Sequence, residues 1–257
     1  MSINILAIGD VTNAAGLDFL SEKLRSIIRL NNIAFTVVNG ENASFTGLTP
    51  DQAEQILNAG ADVITLGNHA FGKSSIFPYL DDCPYILRPA NYAPQNSGRG
   101  FGIYETAFGP VCVINLIGRC GMLFGPDNPF LEVDRILKQV DAKVILVDLH
   151  AEATSEKMAM GHYLDGRVSA LWGTHTHVQT SDAQVFPKGT GYITDLGMAG
   201  ASHSVLGAAP EWSISTFLGY PPKPYMPAPG GVKLEGAIFE IDEKSGKCLR
   251  AEALRIE

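Results

Sequence analysis

Short apolar runs alternate with segments of helical periodicity in the first third of the chain. The apolar runs cover residues 3–8, 34–38 and 62–66, and the helical segments cover residues 17–30 and 49–60. Thr49 precedes a proline and lies three residues before Gln52, which is the pattern of a capped helix start, and Gly60 marks a helix end. This β-α-β-α-β order strongly constrains the fold, because it predicts a parallel sheet with right-handed crossovers.

The rest of the chain predicts a second set of strands. Strands are expected at residues 100–108, 111–117, 143–148, 168–172, 191–195, 236–241 and 248–255, and helices at residues 129–140 and 152–163. Turns at Gly109-Pro110 and at residues 243–246 predict two hairpins. Residues 207–231 are rich in proline, glycine and aromatic residues and predict irregular structure, but no charge run or serine-rich linker marks a boundary there. We therefore expect a single α/β domain over residues 1–257.

Composition and charge exclude several classes of protein. The chain has 257 residues, 46% of them hydrophobic and 18% charged, with a formal net charge of -8. No run of Lys or Arg is present, so stable binding along a nucleic acid backbone is not expected, whereas a small phosphate ligand is compatible. The N-terminus lacks a basic leader pattern and no apolar stretch approaches the roughly 18 residues of a membrane span. We expect a cytoplasmic protein without membrane association, whose four cysteines lack C-x-x-C spacing and are reduced thiols.

Polar side chains follow five of the predicted strands. They are Asp10, Glu41 with Asn42, Asn68 with His69, His150, and His175 with His177. The carboxyl ends of parallel strands share one edge of a sheet, so these residues are expected to converge. His175 and His177 flank a single threonine, and in an extended segment their side chains would point the same way. Taken singly, each residue also has a structural explanation, such as Asp10 capping a helix or an asparagine forming a turn.

This set of side chains favours a metal centre with two ions. Carboxylate and amide oxygens mixed with imidazoles suit Mn, Fe or Zn rather than Ca or Mg. Eight such residues are too many for one tetrahedral site with an open position, whereas two ions that share a bridging carboxylate would use them. If Asp10 and Glu41 are the only ligand carboxylates, two divalent ions leave a net charge of about +2, which attracts phosphate.

The motifs, taken in this order, resemble those of the calcineurin-like metallophosphoesterases. They are Gly9-Asp10, an acid after the second strand, Gly67-Asn68-His69, His150 and Gly173-Thr174-His175-Thr176-His177. Residues 39–42 (NGEN) and 150–157 (HAEATSEK) look like the YmdB-type branch, the bacterial cyclic-nucleotide phosphodiesterases. Two departures from the broad pattern, Asp10-Val11-Thr12 in place of D-x-H and NGEN in place of G-D-x-x-D/N, agree with that branch. The similarity extends over nearly the whole chain.

The resemblance implies a fold, a ligand set and a reaction. The fold would be a four-layer α/β/β/α sandwich with its site at the strand ends. One metal ion would be held by Asp10, Glu41, Asn42 and His177, and the other by Glu41, Asn68, His150 and His175. Glu41 would bridge the two ions, and His69 would be the catalytic proton donor. The implied enzyme is a metal-dependent phosphodiesterase that converts small phosphodiesters, above all 2′,3′-cyclic nucleotides, to 3′-nucleotides.

Several expectations leave alternatives open. Asp148 is expected either to orient the imidazole of His150 or to pair elsewhere in the fold, and Asp195 has the same two explanations. The aromatic residues of the stretch 212–225 would cover a base, meet a second subunit or, as we favour, pack under a long loop. A homo-oligomer is compatible with the sequence. The alternative function is a regulatory protein that acts through partner binding and retains its metal site, in which case Glu41→Gln would abolish hydrolysis but not the cellular role.

Overall fold

The computed structural model of the protein describes residues 1–123 and 125–257. The strands are β1 Ser2–Ile8, β2 Asp10–Val11, β3 Ile33–Asn39, β4 Val63–Thr65, β5 Ile86–Leu87, β6 Phe101–Tyr104, β7 Val111–Ile117, β8 Val144–His150, β9 Ala170–Thr174, β10 Gln184–Val185, β11 Gly191–Ile193, β12 Met198–Ala201, β13 Val232–Asp242 and β14 Cys248–Ile256. The helices are α1 Asn13–Leu30, α2 Pro50–Ala59, α3 Ile76–Asp82, α4 Pro129–Leu137, α5 Thr154–Leu164 and α6 Pro210–Phe217.

These strands form two sheets. The first has the order β2-β12-β13-β1-β3-β4-β5, with β14 paired to β13, and its strands β1, β3, β4 and β5 are parallel. The second has the order β10-β11-β9-β8-β7-β6, and its strands β7, β8, β9 and β11 are parallel. The crossovers place the carboxyl ends of the parallel strands of each sheet at one edge, which is the edge where ligands bind in α/β proteins.

Three apolar cores lie between four layers. On β1, Leu6 and Ile8 pack against the helices of the first sheet, whereas Ile5 and Ala7 face the second sheet. The second sheet alternates in the same way, with one face towards the first sheet and the other towards α4 and α5. Strands buried on both faces read as continuous apolar runs, which is why the parallel strands were visible in the sequence. The expected four-layer α/β/β/α sandwich is confirmed.

The start and end of α2 follow the sequence signals closely. The Thr49 hydroxyl accepts a hydrogen bond from the backbone of Gln52, and the Gln52 side chain accepts one from the backbone of Thr49. Gly60 ends the helix with a φ of 122°, a conformation that side chains with a Cβ rarely adopt. This capping box is worth about 1 kcal/mol of helix stability.

Some elements differ from the prediction. The expected irregular stretch 207–231 contains α6, so that expectation was wrong for residues 210–217. The elements β2, α3, β5, β10 and β12 were not predicted, because two to seven residues show too little periodicity to be recognised. The first strand of the predicted hairpin 100–108 ends at Tyr104, because Thr106 and Gly109 already form the turn.

Candidate metal centre

The predicted site residues converge at the shared strand edge. Asp10 follows β1, Glu41 and Asn42 follow β3, Asn68 and His69 follow β4, His150 ends β8, and His175 and His177 follow β9. The side chains of Asp10, Glu41 and His150 are completely buried, and that of His177 is nearly so. His69 is more exposed than these four residues, with 34% of its side chain accessible. The structure therefore brings together all eight residues that the sequence singled out.

One half of the site surrounds Nε2 of His150. This nitrogen lies 2.9 Å from Oδ1 of Asn68, 3.1 Å from Oε1 of Glu41 and 3.1 Å from Nδ1 of His175. Donor atoms of Glu41, His150 and His175 all lie within 4.8 Å of one another. These are the four residues that the family resemblance assigned to one ion.

Hydrogen bonds on the far side of the imidazoles fix which nitrogens face this point. The Thr174 hydroxyl donates to Asp148, so its oxygen accepts from Nδ1 of His150, and the neutral imidazole then has its lone pair on Nε2. Nε2 of His175 lies 3.2 Å from the Glu152 carboxylate, which places the proton on Nε2 and a lone pair on Nδ1. Lone pairs from four side chains then point at one another, an arrangement that a cation satisfies. The residues present fit a metal ion.

The other half of the site lies between Asp10 and His177. Nε2 of His177 lies 3.6 Å from Oδ1 of Asp10 and 3.1 Å from the Asn42 side-chain nitrogen, which is also 3.1 Å from Oε1 of Glu41. Asn42 therefore points its nitrogen into the site and its oxygen towards His69. Ligation by Asn42 requires the opposite amide orientation, which occupies the same space. The four residues that the resemblance assigned to the other ion are again together.

The backbone at His175 and His177 differs from the prediction. Both residues lie beyond the end of β9, with φ angles of 98° and 60°, so the expectation of an extended segment with both side chains on one face was wrong. Two positive φ angles within three residues bend the chain so that each imidazole enters a different half of the site. Non-glycine residues in this region are uncommon and concentrate at functional sites.

An ion pair holds this bent segment in place. Lys157 Nζ lies 2.6 Å from Oδ2 of Asp195, and both side chains are 1% exposed. The same carboxylate oxygen accepts hydrogen bonds from the backbone nitrogen and the hydroxyl of Thr176, the residue between the two histidines. Of the two explanations for Asp195, the structure supports pairing elsewhere in the fold, because its partners are Lys157 and Thr176.

A hydrogen-bond network fixes the imidazole of His150 through its Nδ1 atom. Asp148 accepts hydrogen bonds from the hydroxyls of Thr65 and Thr174 at 2.5 and 2.8 Å, and Asn39 donates to Asp148 and Thr174 at 3.3 Å. Asp148 thus orients the imidazole of His150 through Thr174 and not by direct contact. Sequence reasoning recognised Asp148 but missed Thr65, Thr174 and Asn39. Asn39 and Thr174 were visible only as members of the NGEN and GTHTH motifs, and Thr65 only as a polar residue at the end of a buried strand.

The site also shifts the pKa values of its members. Burial opposes ionisation of Glu41, but the neighbouring His150 outweighs it and holds the pKa of Glu41 well below its usual value. Burial lowers the pKa of His175 to about 4, so this imidazole is neutral. Burial also acts against the charged form of His150, yet Glu41 and Asp10 raise its pKa to about 9. An ionised Glu41 and a neutral His175 are in the states that metal ligation needs, whereas His150 must release a proton.

His69 lies between the metal centre and solvent. Its backbone nitrogen donates to Oε2 of Glu41 at 3.0 Å, and Nδ1 lies 2.9 Å from Oδ1 of Asn42. Nε2 forms no hydrogen bond with the residues that the structure describes. The ring is therefore held by one nitrogen while the other remains able to exchange a proton with a bound molecule.

Two cavities meet at His69. One, of about 340 Å³, is the mouth of the metal centre and is lined by Glu41, His175 and His177 together with Phe45 and Tyr225. The other, of about 530 Å³, is also lined by His69 and includes the site residue Asn68 in its wall. A small molecule bound at the metal centre therefore has room to extend in either direction.

Within the aromatic stretch 212–225, Tyr225 lines the first cavity. Tyr225 stacks on Phe45 at 3.6 Å, its hydroxyl lies 2.7 Å from the Asn13 amide nitrogen, and Trp212 meets its ring edge-on at 5.4 Å. The favoured expectation of packing is confirmed for Trp212 and Tyr225. It was wrong for Phe217 and Tyr220, which are 88% and 61% exposed.

Two further observations concern the cysteines and the apolar character of the helices. All four cysteines are free thiols, with Cys112 and Cys248 buried and Cys120 exposed. Within residues 1–123 and 125–257, no helix combines the length and the apolar character that crossing a membrane requires.

Known proteins share both the sequence and the architecture of this chain. A Bacillus subtilis (strain 168) protein named 2′,3′-cyclic-nucleotide 2′-phosphodiesterase is 40% identical over 257 residues, which cover 99% of this chain and 97% of that protein. The crystal structure of a hypothetical protein from Thermus thermophilus is 37% identical, with a TM-score of 0.92 and 99% of both chains covered. That of a Mycoplasma pneumoniae protein described as a novel phosphatase is 33% identical, with a TM-score of 0.93, and covers 100% of this chain and 94% of that one.

A family model gives the same assignment. The model, described as YmdB-like protein, matches residues 6–254, a range that contains every residue of the candidate metal centre. The resemblance that the strand-end motifs suggested is thereby confirmed, and the chain belongs to the YmdB-like protein family.

Proposed function

We propose that this chain hydrolyses small phosphodiesters at a metal centre, with 2′,3′-cyclic nucleotides as substrates and 3′-nucleotides as products. The observation that carries the proposal is the convergence of Glu41, Asn68, His150 and His175 with their lone pairs turned inwards, next to Asp10 and His177. The chain is a hydrolase of phosphoric diesters, because relatives that match almost all of it are named phosphodiesterase or phosphatase. The cyclic-nucleotide substrate is supported by the name of the B. subtilis relative.

The proposed centre holds two divalent ions. Asp10, Glu41, Asn42 and His177 would hold one, and Glu41, Asn68, His150 and His175 the other, with Glu41 shared. The mixture of carboxylate, amide and imidazole donors favours Fe or Mn, and Zn is compatible. Bound ions would supply a Lewis acid for the phosphate oxygens and lower the pKa of a bound water.

His69 has the position of a general acid. Cleavage adds a water oxygen to phosphorus and breaks the bond between phosphorus and the 2′ oxygen, and the released 2′ oxygen needs a proton. In the amide orientation that lets Asn42 ligate a metal, its nitrogen would donate to Nδ1 of His69, so the neutral ring would carry its proton on Nε2, the atom that would deliver it. The backbone hydrogen bond from His69 to Glu41 ties the position of this acid to the metal centre.

Metal content tests the proposal directly. Protein purified without added metal or chelator, and then supplied with Mn or Fe, would be analysed for metal per chain and for hydrolysis of 2′,3′-cyclic AMP. We expect about two ions in the wild type and a clear loss of both metal and activity in Glu41→Gln. Glu22→Gln, at a 67% exposed side chain, is the matched control and should retain both. A wild type that holds no ion, or a Glu41→Gln variant that keeps full activity, would overturn the proposal.

A second candidate function is regulation through a protein partner. The specific observation in its favour is the group of exposed apolar side chains on and after α6, including Phe217, Leu218 and Tyr220. The two functions are separated by expressing Glu41→Gln in place of the wild type in cells. If a cellular phenotype of deletion is restored by this inactive variant, the partner-binding function is supported, and if it is not, the hydrolytic function is.

A further inference from the structure

We propose that the second cavity lined by His69 binds the nucleoside of the substrate and that Tyr92 stacks against its base. We call this cavity the Tyr92 cavity, and define it by Phe71, Asn91, Tyr92, Asn96 and Asp127 together with Asn68 and His69. This inference rests on the proposed function and specifies how a cyclic nucleotide lies in that site. It also assigns a role to residues that neither hold metal nor donate a proton.

The position of His69 gives the direction of the substrate. A general acid must touch the leaving oxygen, and in a 2′,3′-cyclic nucleotide the leaving oxygen belongs to the ribose that carries the base. The nucleoside therefore has to lie on the side of the phosphate that His69 faces. Because His69 lines both cavities, a phosphate at the metal centre can place its ribose next to His69 and its base in the Tyr92 cavity.

The size and lining of the Tyr92 cavity suit a nucleobase. Its volume of about 530 Å³ falls in the range of small-molecule sites, which combine aromatic walls with a few polar groups. Phe71 and Tyr92 lie with their ring centroids 5.9 Å apart and their planes tilted by 43°. Base–aromatic stacking needs a ring face and tolerates any base, so these rings suit nucleotides as a class.

The hydroxyl of Tyr92 is available to form a hydrogen bond with a ligand. Its hydroxyl forms no hydrogen bond with the residues that the structure describes, although the side chain is only partly exposed. Burial raises the pKa of Tyr92 to about 12, and the charge of Glu41 contributes, so the phenol stays protonated and lies within electrostatic reach of the metal centre. A neutral hydroxyl in that position can donate to a ribose oxygen.

The wall behind Tyr92 is held rigid. The Asn91 amide donates to the carbonyls of Ile117 and Asp127 at 2.7 and 2.8 Å and accepts from the backbone nitrogen of Ile117 at 2.9 Å. Every polar atom of the Asn91 side chain is thus used to join three chain segments. The cavity is preformed, so binding would not require its walls to be ordered first.

The first cavity offers a poorer place for a base. Tyr225 already has one ring face against Phe45 and its hydroxyl against Asn13, and Trp212 meets its edge. One face of Tyr225 is therefore already occupied by an aromatic ring, which leaves less aromatic surface for a base. This geometry favours the Tyr92 cavity over the aromatic stretch 212–225.

The experiment compares a substrate with a base and a substrate without one. Hydrolysis of 2′,3′-cyclic AMP and of glycerol 1,2-cyclic phosphate, which has the same five-membered cyclic diester but no base, would be measured for wild type, Tyr92→Ala and Tyr92→Leu. Loss of the stacking contact between Tyr92 and the base should raise the KM for 2′,3′-cyclic AMP roughly 10-fold or more. The kcat/KM for the base-free diester should stay nearly unchanged. Tyr92→Leu keeps an apolar side chain in the wall and guards against a folding defect. Trp212→Ala removes an aromatic ring that packs against Tyr225, away from the Tyr92 cavity. It is the matched control and should affect both substrates alike.

Binding of the product gives a readout independent of turnover. Calorimetry with adenosine 3′-phosphate and with inorganic phosphate should show that Tyr92→Leu weakens only the nucleotide, at unchanged metal content. If the Tyr92 variants change both substrates equally or neither, or if Trp212→Ala gives the base-selective loss, the cavity assignment is overturned while the proposed function stands. If the wild type cleaves neither diester, the proposed function itself fails and the assignment fails with it.

Discussion

The hydroxyl oxygen of Thr174 lies 2.9 Å from Nδ1 of His150. Since this hydroxyl gives its proton to Asp148, it can only accept from the imidazole, and the lone pair of His150 is directed at the metal centre. We expect Thr174→Val, which has a similar shape but no hydroxyl, to reduce metal affinity by about 10- to 100-fold. Competition with a chelator of known affinity measures the change.

Thr174→Ser is the control for this prediction. Serine keeps the hydroxyl and loses only a methyl group, so metal affinity should stay close to the wild-type value while Thr174→Val falls. Equal affinities of all three proteins would show that the proton on Nδ1 is placed by another group. Denaturation curves check that the fold survives, because the valine leaves Asp148 without one of its donors.

Glu152 makes a similar but weaker contact with His175. Its carboxylate lies 3.2 Å from Nε2 of His175, but 59% of the Glu152 side chain is exposed, so solvent screens the interaction. We expect Glu152→Ala to lower metal affinity by less than Thr174→Val does, by about 10-fold at most. Glu152→Gln keeps a hydrogen-bond acceptor and should fall between Glu152→Ala and wild type. A Glu152→Ala variant with a larger loss than Thr174→Val would contradict this order, which chelator competition on the same scale would reveal.

The buried pair of Lys157 and Asp195 predicts an effect on stability. Replacing Lys157 by Met leaves Asp195 buried without its cation, which should lower the free energy of unfolding by about 3–5 kcal/mol. The double variant Lys157→Met with Asp195→Asn removes both charges and should recover part of that loss. Lys23→Met, which breaks an exposed pair with Glu22, should change stability little. Urea denaturation of the four proteins tests this, and a Lys157→Met variant as stable as Lys23→Met would refute it.

The convergence of the candidate site residues was predictable because they follow recognisable strands. Each of Asp10, Glu41, Asn68 and His150 comes at or just after the end of an apolar run, and parallel strands bring such positions together whatever the sequence distance. The parallel strands were predictable for the same reason, since strands buried on both faces are apolar throughout, whereas the four-layer sandwich was implied by the family resemblance. The positions of these residues thus depend on topology, which periodicity reveals.

What the sequence did not reveal depends on local backbone conformation and on long-range contacts. The positive φ angles at His175 and His177 flank Thr176, which is bound to Asp195 19 residues further along the chain, and no local pattern encodes that contact. Thr174 gave no signal beyond its place beside the H-x-H motif, because a threonine at a strand end has many uses. Tyr92 lies in a segment without periodicity, and only the cavity around it suggests a role.

Gly67 lies so close to the candidate metal centre that a Cβ at this position would collide with its side chains. A Cβ added at Gly67 would clash with Oε2 of Glu41 and with Nε2 of His150, the nitrogen that would face the bound ion in our proposal. We expect Gly67→Ala to displace these ligands, and to abolish metal retention and phosphodiester hydrolysis together. Gly231→Ala is the matched control, because its added Cβ would meet only the Ser202 hydroxyl, which can rotate away. Elemental analysis and hydrolysis of 2′,3′-cyclic AMP measure both effects. A Gly67→Ala variant that keeps its full metal content would show that Glu41 and His150 do not bind metal in the arrangement proposed.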